Sequence, residues 1–279
     1  MKVRVAKSAG FCFGVRRALK TAYETARLRK NACMLGDIVH NEDVVGAVTK
    51  SGIKKINRLT AGKNKTLLIR AHGASRETFK RARSLGYRIV DATCPMVKEI
   101  HKIAAAMEKK DYKIIVVGDK KHDEVKGITG QLKKRALVID TEKNIPYLSL
   151  KRIKKAAVVV QSTQNIEKVT KIIDKLTPHI DNLKFINTIC RPTRIKQEEA
   201  KIMPLKNDVM IIIGSMTSAN TKRLYEISRS LNKQSYWIQS EKDIKPAWFK
   251  KAESVGITAG ASTPDKTTIS IVKYIKTIT

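Results

Sequence analysis

Short apolar runs alternate with helical patterns along the whole chain, and this alternation constrains the fold more than any other feature. The short runs are rich in β-branched residues, and the segments between them have the apolar spacing of amphipathic helices. Because parallel strands need a crossover connection, usually a helix, the pattern predicts the α/β class with mainly parallel sheets. We predict strands at residues 3–6, 66–69, 88–90, 113–117, 156–160, 183–186, 209–213 and 255–258, and helices at 15–29, 76–85, 97–109, 167–176 and 222–231.

Three of the four cysteines follow a predicted strand and precede the start of a helix. Cys12 lies just before Gly14, where a helix is predicted to begin, and Cys94 and Cys190 are followed by prolines in helix-starting positions. Roughly equal lengths of chain separate the three cysteines, which indicates a weak internal repeat. Ligands of open α/β sheets bind beyond the carboxyl ends of the strands. We therefore predict three pseudo-threefold-related α/β units whose thiols meet at one centre.

The repeat also predicts the domain boundaries. The first unit is expected to span residues 13–94, the second 95–190 and the third 191–279, and residues 1–12 contribute the N-terminal strand and Cys12.

The number and spacing of the cysteines limit the chemistry that they can support. Four cysteines in 279 residues are too few for a disulfide scaffold, and none of them forms a C-x-x-C pair. Three converging thiolates fit an iron–sulfur cluster or a zinc ion with an open fourth position. A 4Fe–4S cluster held by three cysteines leaves one iron open to a substrate oxygen. Cys33, within an apolar stretch, is predicted to be a small buried side chain.

The net charge of the chain is strongly positive. Lys and Arg number 57 against 25 Asp and Glu, which gives +32, and the basic residues are spread along the whole chain. Two interpretations remain: a general bias of the surface, or selection for a polyanion such as nucleic acid, a phosphorylated substrate or an acidic protein. Against specific nucleic-acid binding, the sequence has no recognised binding motif and only 5% aromatic residues.

The apolar runs are too short for a membrane span. No run approaches 18 residues, and the N-terminus lacks the apolar stretch of a signal peptide. The sequence therefore predicts no membrane insertion and a cytoplasmic location.

Eight motifs occur in order along nearly the whole chain, and together they resemble the LytB/IspH family, the 4-hydroxy-3-methylbut-2-enyl diphosphate reductases. They are the segments at residues 10–15 (GFCFGV), 38–41 (IVHN), 70–73 (RAHG), 91–95 (DATCP), 122–125 (HDEV), 188–190 (TIC), 214–220 (GSMTSAN) and 256–262 (GITAGAS).

The resemblance implies a trefoil-like fold of three α/β units around one 4Fe–4S cluster per chain. It also implies reductive removal of an allylic hydroxyl, which gives isopentenyl and dimethylallyl diphosphate in the last step of the non-mevalonate pathway. An acidic ferredoxin or flavodoxin is the implied electron donor. By motif match, Cys12, Cys94 and Cys190 hold the cluster.

The remaining site residues are assigned by the same match. Glu124 becomes the carboxyl that delivers a proton, with Ser162 and Thr163 as a hydroxyl pair near the substrate; the alternative for Glu124 is a solvated acid at a helix start. His101 is left open as a second-layer residue, and His179 is expected at the surface. The implied substrate contacts are His40, His72, His122, Ser162, Ser218, Asn220 and Ser262.

Two positions depart from the family pattern. Ser162 stands where a first threonine is usual, and Ala219 stands where the family loop usually has a second serine. A serine is freer at χ1 than a threonine, and the backbone N–H of Ala219 can still donate a hydrogen bond. Neither change removes a cluster ligand or Glu124, so we expect an active enzyme.

Overall fold

The chain folds into parallel sheets and helices, which confirms the predicted α/β class; the computed structural model describes residues 1–278. Within these residues twelve strands form three four-stranded sheets. The strands are β1 (Lys2–Val5), β2 (Ala32–Leu35), β3 (Lys54–Ile56), β4 (Thr66–Ile69), β5 (Arg88–Asp91), β6 (Lys113–Val117), β7 (Leu137–Ile139), β8 (Lys155–Val160), β9 (Asn182–Phe185), β10 (Val209–Ile213), β11 (Ser235–Ile238) and β12 (Ser254–Ala259).

Ten α-helices connect these strands in the described part of the chain. They are α1 (Phe13–Leu28), α2 (Glu42–Lys50), α3 (Arg76–Ser84), α4 (Pro95–Lys109), α5 (Asp123–Thr129), α6 (Tyr147–Leu150), α7 (Ile166–Leu176), α8 (Arg191–Ile202), α9 (Ala219–Leu231) and α10 (Asp265–Ile278). None of the helices within residues 1–278 is long and apolar enough to cross a membrane.

The three sheets share one strand order, which gives the predicted internal repeat a structural form. The orders are β3-β2-β4-β5, β7-β6-β8-β9 and β11-β10-β12-β1, with every neighbouring pair parallel. If the four strands of each repeat are numbered 1 to 4 in the order of the repeat, all three sheets have the strand order 2-1-3-4. In the last sheet the N-terminal strand β1 takes the fourth place, so this repeat is circularly permuted.

All eight predicted strands are confirmed to within one residue, but four observed strands were missed. Three of these, β3, β7 and β11, are the second strands of their repeats and lie at sheet edges. They have only three or four residues. β3 and β7, with three residues each, are too short to show an alternation of apolar and polar residues, whereas β1, β5 and β9 at the opposite edges have four residues each and were predicted. The fourth missed strand, β2, is short and ends immediately before Gly36.

By its internal contacts the chain divides into two compact units. Unit one consists of Met1–Arg16, Val39–Ala47 and Arg191–Thr279, and unit two consists of Arg17–Ile38 and Val48–Cys190. The three-unit boundaries at residues 94/95 and 190/191 remain a prediction.

Unit one contains the sheet of β1, β10, β11 and β12, covered on both faces. Along β10, Ile211 faces a cluster that includes Ile271 and Ile275 of α10, whereas Ile212 faces Leu224 of α9 and Ala200 of α8. Burial on both faces explains why β10 reads as an uninterrupted apolar run. Each fully buried aliphatic side chain of this kind stabilises the fold by about 1.5–3 kcal/mol.

Unit two contains the other two sheets. In the sheet of β7, β6, β8 and β9, the inner strand β8 is also buried on both faces. Val158 packs in one cluster with Val169 and Ile172 of α7, and Val159 packs on the opposite face with Ile100 of α4. These layers fix the carboxyl ends of the strands, from which the loops with the predicted site residues extend.

Candidate active-site loops

Cys12, Cys94 and Cys190 have equivalent backbone positions in the three repeats. Each directly precedes a helix, and each donates its backbone N–H to the carbonyl two residues past the end of the third strand of its repeat. The contacts are Cys12 to Ala261 at 3.2 Å, Cys94 to Ala71 at 2.9 Å and Cys190 to Ser162 at 3.1 Å. The three cysteines are therefore related by the fold as well as by sequence spacing.

A second local feature recurs before two of these cysteines. The Asp91 carboxylate accepts a hydrogen bond from the N–H of Thr93 at 2.9 Å, and the amide oxygen of Asn187 accepts from the N–H of Ile189 at 3.1 Å. Such turns, in which an Asp or Asn side chain bonds the backbone two residues on, end a strand and redirect the chain. They explain why Asp91 and Asn187 stand three residues before Cys94 and Cys190.

The donor set fits a group that needs three thiolates. Cys12, Cys94 and Cys190 are all partly exposed, and no disulfide forms among the four cysteines, all of which lie within the described residues. Thiolate sulfur suits both iron–sulfur clusters and zinc. Cys33 differs: it is a strand residue of β2 that is only 5% exposed, and burial raises the pKa of its thiol, opposed by the charge of Lys65. The prediction that Cys33 is a buried core residue is confirmed.

Glu124 and Ser162 form a buried pair in unit two. Glu124, on α5, is 1% exposed. Its Oε1 accepts from the N–H of Ser162 at 2.6 Å, and its Oε2 accepts from the Ser162 hydroxyl at 2.8 Å. The alternative that Glu124 is a solvated acid is therefore wrong. Because the carbonyl of Ser162 accepts from Cys190, one residue joins the carboxyl to the backbone of a cysteine.

Thr163, the other hydroxyl of the predicted pair, contacts the neighbouring Gln161. Its hydroxyl accepts from Nε2 of Gln161 at 3.1 Å, and Oε1 of Gln161 accepts from the N–H of Asp119 at 2.9 Å. Gln161 is fully buried. Thr163 thus orients the glutamine that holds the loop after β6, and Ser162 contacts Glu124. The place of both hydroxyls near the substrate remains a prediction.

The geometry of His122 determines which of its nitrogens can donate. His122 caps the N-terminus of α5, and its Nδ1 accepts from the N–H of Glu124 at 3.1 Å. In the neutral ring the proton therefore lies on Nε2, which makes that atom a donor suited to an anion. The ring of His72 lies edge-on to it, with centroids 5.4 Å apart.

An ion pair joins the two segments that carry these histidines, and sequence analysis did not single it out. Nη1 of Arg70 lies 2.6 Å from Oδ2 of Asp123, and both side chains are 20% exposed. Arg70 precedes His72 by two residues, and Asp123 stands between His122 and Glu124. Both charges fall inside quoted motifs, but nothing in the sequence shows that they pair.

Asn220 is the clearest candidate for ligand contact in unit one. It is 5% exposed, yet neither Nδ2 nor Oδ1 has a hydrogen-bond partner within residues 1–278. Leaving a buried polar group unpaired costs about 1–3 kcal/mol. The neighbouring Ser218 caps α9, where its Oγ accepts from the N–H of Thr221 at 3.3 Å.

His40 and Ser262 are joined directly in unit one. The hydroxyl of Ser262 donates to the carbonyl of His40 at 2.9 Å. The next residue, Asn41, caps α2 by accepting from the N–H of Val44 at 3.0 Å. Ser262 and Asn41 thus hold the backbone that follows the His40 side chain, which is a positioning role for both.

Two glycines of the motifs are required by one buried threonine. A Cβ at Gly260 would lie 2.1 Å from Oγ1 of Thr221, and a Cβ at Gly214, where φ is +152°, would lie 2.6 Å from the same atom. No other residue allows these two loops to approach α9 so closely, and both loops carry predicted substrate contacts.

The two histidines without an assigned role differ in environment. His101, on α4, is half-buried, and its imidazole lies where a Cβ at Gly73 would be 2.8 Å from Cε1. His179 is exposed, as predicted.

A sequence model of the LytB protein family matches residues 3–276. The 4-hydroxy-3-methylbut-2-enyl diphosphate reductase of Campylobacter hominis is 39% identical over 280 residues, covering 100% of both chains. That of Aquifex aeolicus is 37% identical over 265 residues, covering 94% of this chain and 91% of its own.

Solved structures show the same likeness. One, of (E)-4-hydroxy-3-methyl-but-2-enyl diphosphate reductase, the terminal enzyme of the non-mevalonate pathway, is 36% identical with a TM-score of 0.74, covering 99% of this chain and 100% of that one. The E-1-hydroxy-2-methyl-but-2-enyl-4-diphosphate reductase from Plasmodium falciparum is 28% identical with a TM-score of 0.88, covering 98% and 87%. The predicted family, whose members carry the names of reductases, is confirmed: the chain belongs to the LytB family.

Proposed function

We propose that the chain reduces 4-hydroxy-3-methylbut-2-enyl diphosphate to isopentenyl and dimethylallyl diphosphate, the last step of the non-mevalonate isoprenoid pathway. The observation that supports this most is the shared backbone position of Cys12, Cys94 and Cys190, each tied through its N–H to the loop after a third strand. The names of two relatives that match over nearly the whole chain support this choice of substrate.

The cysteines are proposed to hold one 4Fe–4S cluster. When bound, such a cluster supplies electrons and one iron that no cysteine occupies. Replacing an allylic hydroxyl by hydrogen consumes two electrons and two protons and releases one water. One proton goes to the departing oxygen and the other to carbon, so the chain must provide a proton donor beside the electron source.

Glu124 is the proposed proton donor to the departing oxygen. A carboxyl can relay protons, and Ser162 holds both oxygens of Glu124 in fixed directions. Because Ser162 is also bonded to the backbone of Cys190, a shift of that cysteine would be transmitted to the proton donor.

The diphosphate is proposed to be held by donors rather than by a metal. His122 offers Nε2–H, and Asn220 offers an amide that has no hydrogen-bond partner among residues 1–278. His40, His72 and the backbone N–H groups at the start of α9 complete the set, in which Ser218 and Ser262 hold the local backbone. Charge-assisted hydrogen bonds of this type are about twice as strong as neutral ones.

The test is metal analysis of cysteine variants. Cys12→Ser, Cys94→Ser and Cys190→Ser should each lose most of the iron and sulfide after anaerobic reconstitution, together with turnover of the diphosphate substrate. Cys33→Ser is the matched control and should keep both. Normal iron in any of the three variants, or zinc in place of iron and sulfide in the native protein, would refute the cluster assignment.

The proposal also includes an electron donor. An acidic ferredoxin or flavodoxin is the proposed donor, since the net charge of this chain is +32. A cytoplasmic location remains a prediction.

A further inference from the structure

Lys196 is a buried cation for which neither the motifs nor the proposed reaction has a role. It lies on α8 and is only 2% exposed. Its Nζ donates to three backbone carbonyls, those of Ser8, Gly10 and Ala259; the last two contacts measure 3.0 and 3.1 Å. An ammonium has three N–H donors, so the three acceptors use all of them.

Burying the ammonium costs free energy of folding, and we expect its contacts with the three carbonyls to offset this cost. Burial lowers the pKa of Lys196 to about 8, and the charges of Cys12, Glu199 and Asp265 oppose the decrease. At neutral pH the group is still an ammonium, with all three protons available for the carbonyls. An apolar residue in its place would leave the carbonyls unpaired in a dry environment.

A second residue of the same helix holds the same loop. Oε2 of Glu199 accepts from the N–H of Ser8 at 3.1 Å and from the Ser8 hydroxyl at 2.5 Å. Lys196 and Glu199 are three positions apart and lie on one side of α8. Ser8 is thus held through its carbonyl by one side chain and through its N–H and hydroxyl by the other.

The loop that receives these contacts carries Cys12 and has few other bonds. Its backbone N–H contacts are those of Ala6 to Ile257, Ala9 to Ala6 and Cys12 to Ala261. Gly10 has φ of +90°, and a Cβ there would lie 2.6 Å from Oδ1 of Asp265. The stretch between Ala6 and Cys12 is therefore irregular, and its polar groups depend on α8.

We propose that Lys196 and Glu199 are positioning residues that fix the Cys12 loop, holding the thiol where it can serve as a ligand. The position of the loop is a property of the protein alone, whereas the use of Cys12 as a cluster ligand rests on the proposed function. Lys196 thereby holds the loop of Cys12 through Ser8, although Lys196 and Ser8 are 188 positions apart in the sequence.

The test compares Lys196→Met with Lys273→Met, both in the full-length chain. Met keeps the length of the side chain and removes the charge and the donors. Lys273 is exposed on α10 of the same unit and serves as the matched control. Hydrogen exchange is measured by mass spectrometry before and after cluster reconstitution, and iron release to a ferrous chelator is timed for the reconstituted proteins.

In Lys196→Met, exchange of residues 7–12 should rise at least about tenfold while peptides that cover β10 and β11 stay unchanged. Iron release should accelerate by a similar factor, and Lys273→Met should match the native protein in both. Glu199→Gln, which keeps the size of the side chain, should give a smaller rise confined to the same peptide, and it decides the matter if Lys196→Met does not fold.

Unchanged exchange at residues 7–12, or a rise spread evenly through unit one, would overturn the proposal. The exchange measured before reconstitution does not depend on the cluster. It therefore separates a failure of this inference from a failure of the proposed function, which the Cys12→Ser variant tests.

Discussion

At the scale of single residues, the contact between Glu124 and Ser162 leads to a sharp prediction. In Glu124→Gln the amide keeps the size of the acid and can still accept from the Ser162 N–H, so packing has little reason to change. The amide cannot deliver a proton, and loss of a general acid typically costs 10²–10⁴-fold in rate. Single-turnover reduction of the substrate by pre-reduced enzyme measures this loss.

The control for that experiment is Glu77→Gln, which removes an exposed carboxylate on α3 and should leave the rate unchanged. Iron content should be normal in both proteins. Near-normal turnover in Glu124→Gln would remove this carboxyl from the reaction, and loss of the cluster would make its role structural.

Replacing Asn220 by alanine should weaken the binding of an anion without lowering the stability of the ligand-free protein. Asn220→Ala removes a buried amide that has no partner among residues 1–278, so the ligand-free protein should unfold at the same temperature as the native chain or a higher one. Inorganic pyrophosphate should raise Tm less in the variant, consistent with about tenfold weaker binding, which is the effect of losing about 1.4 kcal/mol.

Thermal unfolding with and without pyrophosphate measures both effects. A clear loss of stability in the ligand-free variant would show that the amide is satisfied within the protein. Equal protection by pyrophosphate in the two proteins would exclude Asn220 from anion binding.

At the scale of elements, the Arg70–Asp123 ion pair should couple the loop after β4 to the start of α5. Nη1 of Arg70 lies 2.6 Å from Oδ2 of Asp123, and both side chains are partly buried. Exposed ion pairs contribute about 0.2–1 kcal/mol, and disrupting a buried pair costs about 3–5 kcal/mol. A partly buried pair should have an intermediate effect. A double-mutant cycle with Arg70→Met and Asp123→Asn should therefore give a coupling energy of about 1–2 kcal/mol in urea unfolding.

The control cycle uses Lys134 and Asp111, which are 3.9 Å apart and largely exposed, and it should show no measurable coupling. If the two cycles agree, the partly buried pair contributes nothing to holding α5. The KM for the diphosphate should rise in Arg70→Met, because the pair lies beside His72 and His122.

Because His101 on α4 is half-buried, its protonation should lower the stability of the folded protein at acid pH. Burial lowers the pKa of His101 to about 4, with Asp91 opposing and Lys98 reinforcing the decrease. The unfolded chain takes up this proton near pH 6.5 and the folded protein only near pH 4, so stability falls as the pH drops between these values. The loss should be on the order of 2–3 kcal/mol.

Urea unfolding of the metal-free chain between pH 7 and 4 measures this dependence. His101→Leu should flatten the curve in this range, and His179→Leu, at an exposed position, should leave it as it is. An unchanged slope in His101→Leu would mean that other groups cause the loss of stability.

The strands that the sequence predicts best are those with a continuous run of buried apolar residues. Strands such as β6 and β10 lie inside sheets covered on both faces, and their continuous apolar runs were recognised to the residue. The edge strands β3, β7 and β11 were missed, although β1, β5 and β9 at the opposite edges were predicted. β3 and β7 have only three residues, too few for a recognisable apolar period.

At the scale of the whole molecule, the net charge of +32 should accelerate the encounter with an acidic electron donor. The Debye length falls from about 30 Å at 0.01 M salt to about 3 Å at 1 M. Reduction by a flavodoxin should therefore slow at least about tenfold over this range, whereas a small uncharged electron carrier should show little change.

Stopped-flow reduction at several salt concentrations measures this effect. Salt-independent reduction by flavodoxin would show that the charge does not steer the donor. Sequence-selective binding of nucleic acid that persists at moderate salt would point instead to a different polyanion partner.

The sequence by itself determined the fold class, the strand–cysteine–helix repeat and the separation of Cys33 from the other three cysteines. These are local properties, because the apolar period and the residues that flank a strand are written in consecutive positions. The motif glycines Gly214 and Gly260 were also visible, although the reason for them was not.

Only the tertiary structure decided which groups meet. Glu124 and Ser162 are 38 residues apart, and Lys196 and Ser8 are 188 apart, so no local pattern could pair them. Burial then sets the chemistry: the same carboxylate or ammonium would be an ordinary solvated charge on a surface helix. Inside the protein each must be matched by specific donors or acceptors, because an unmatched charge in a dry environment costs far more than folding can offset.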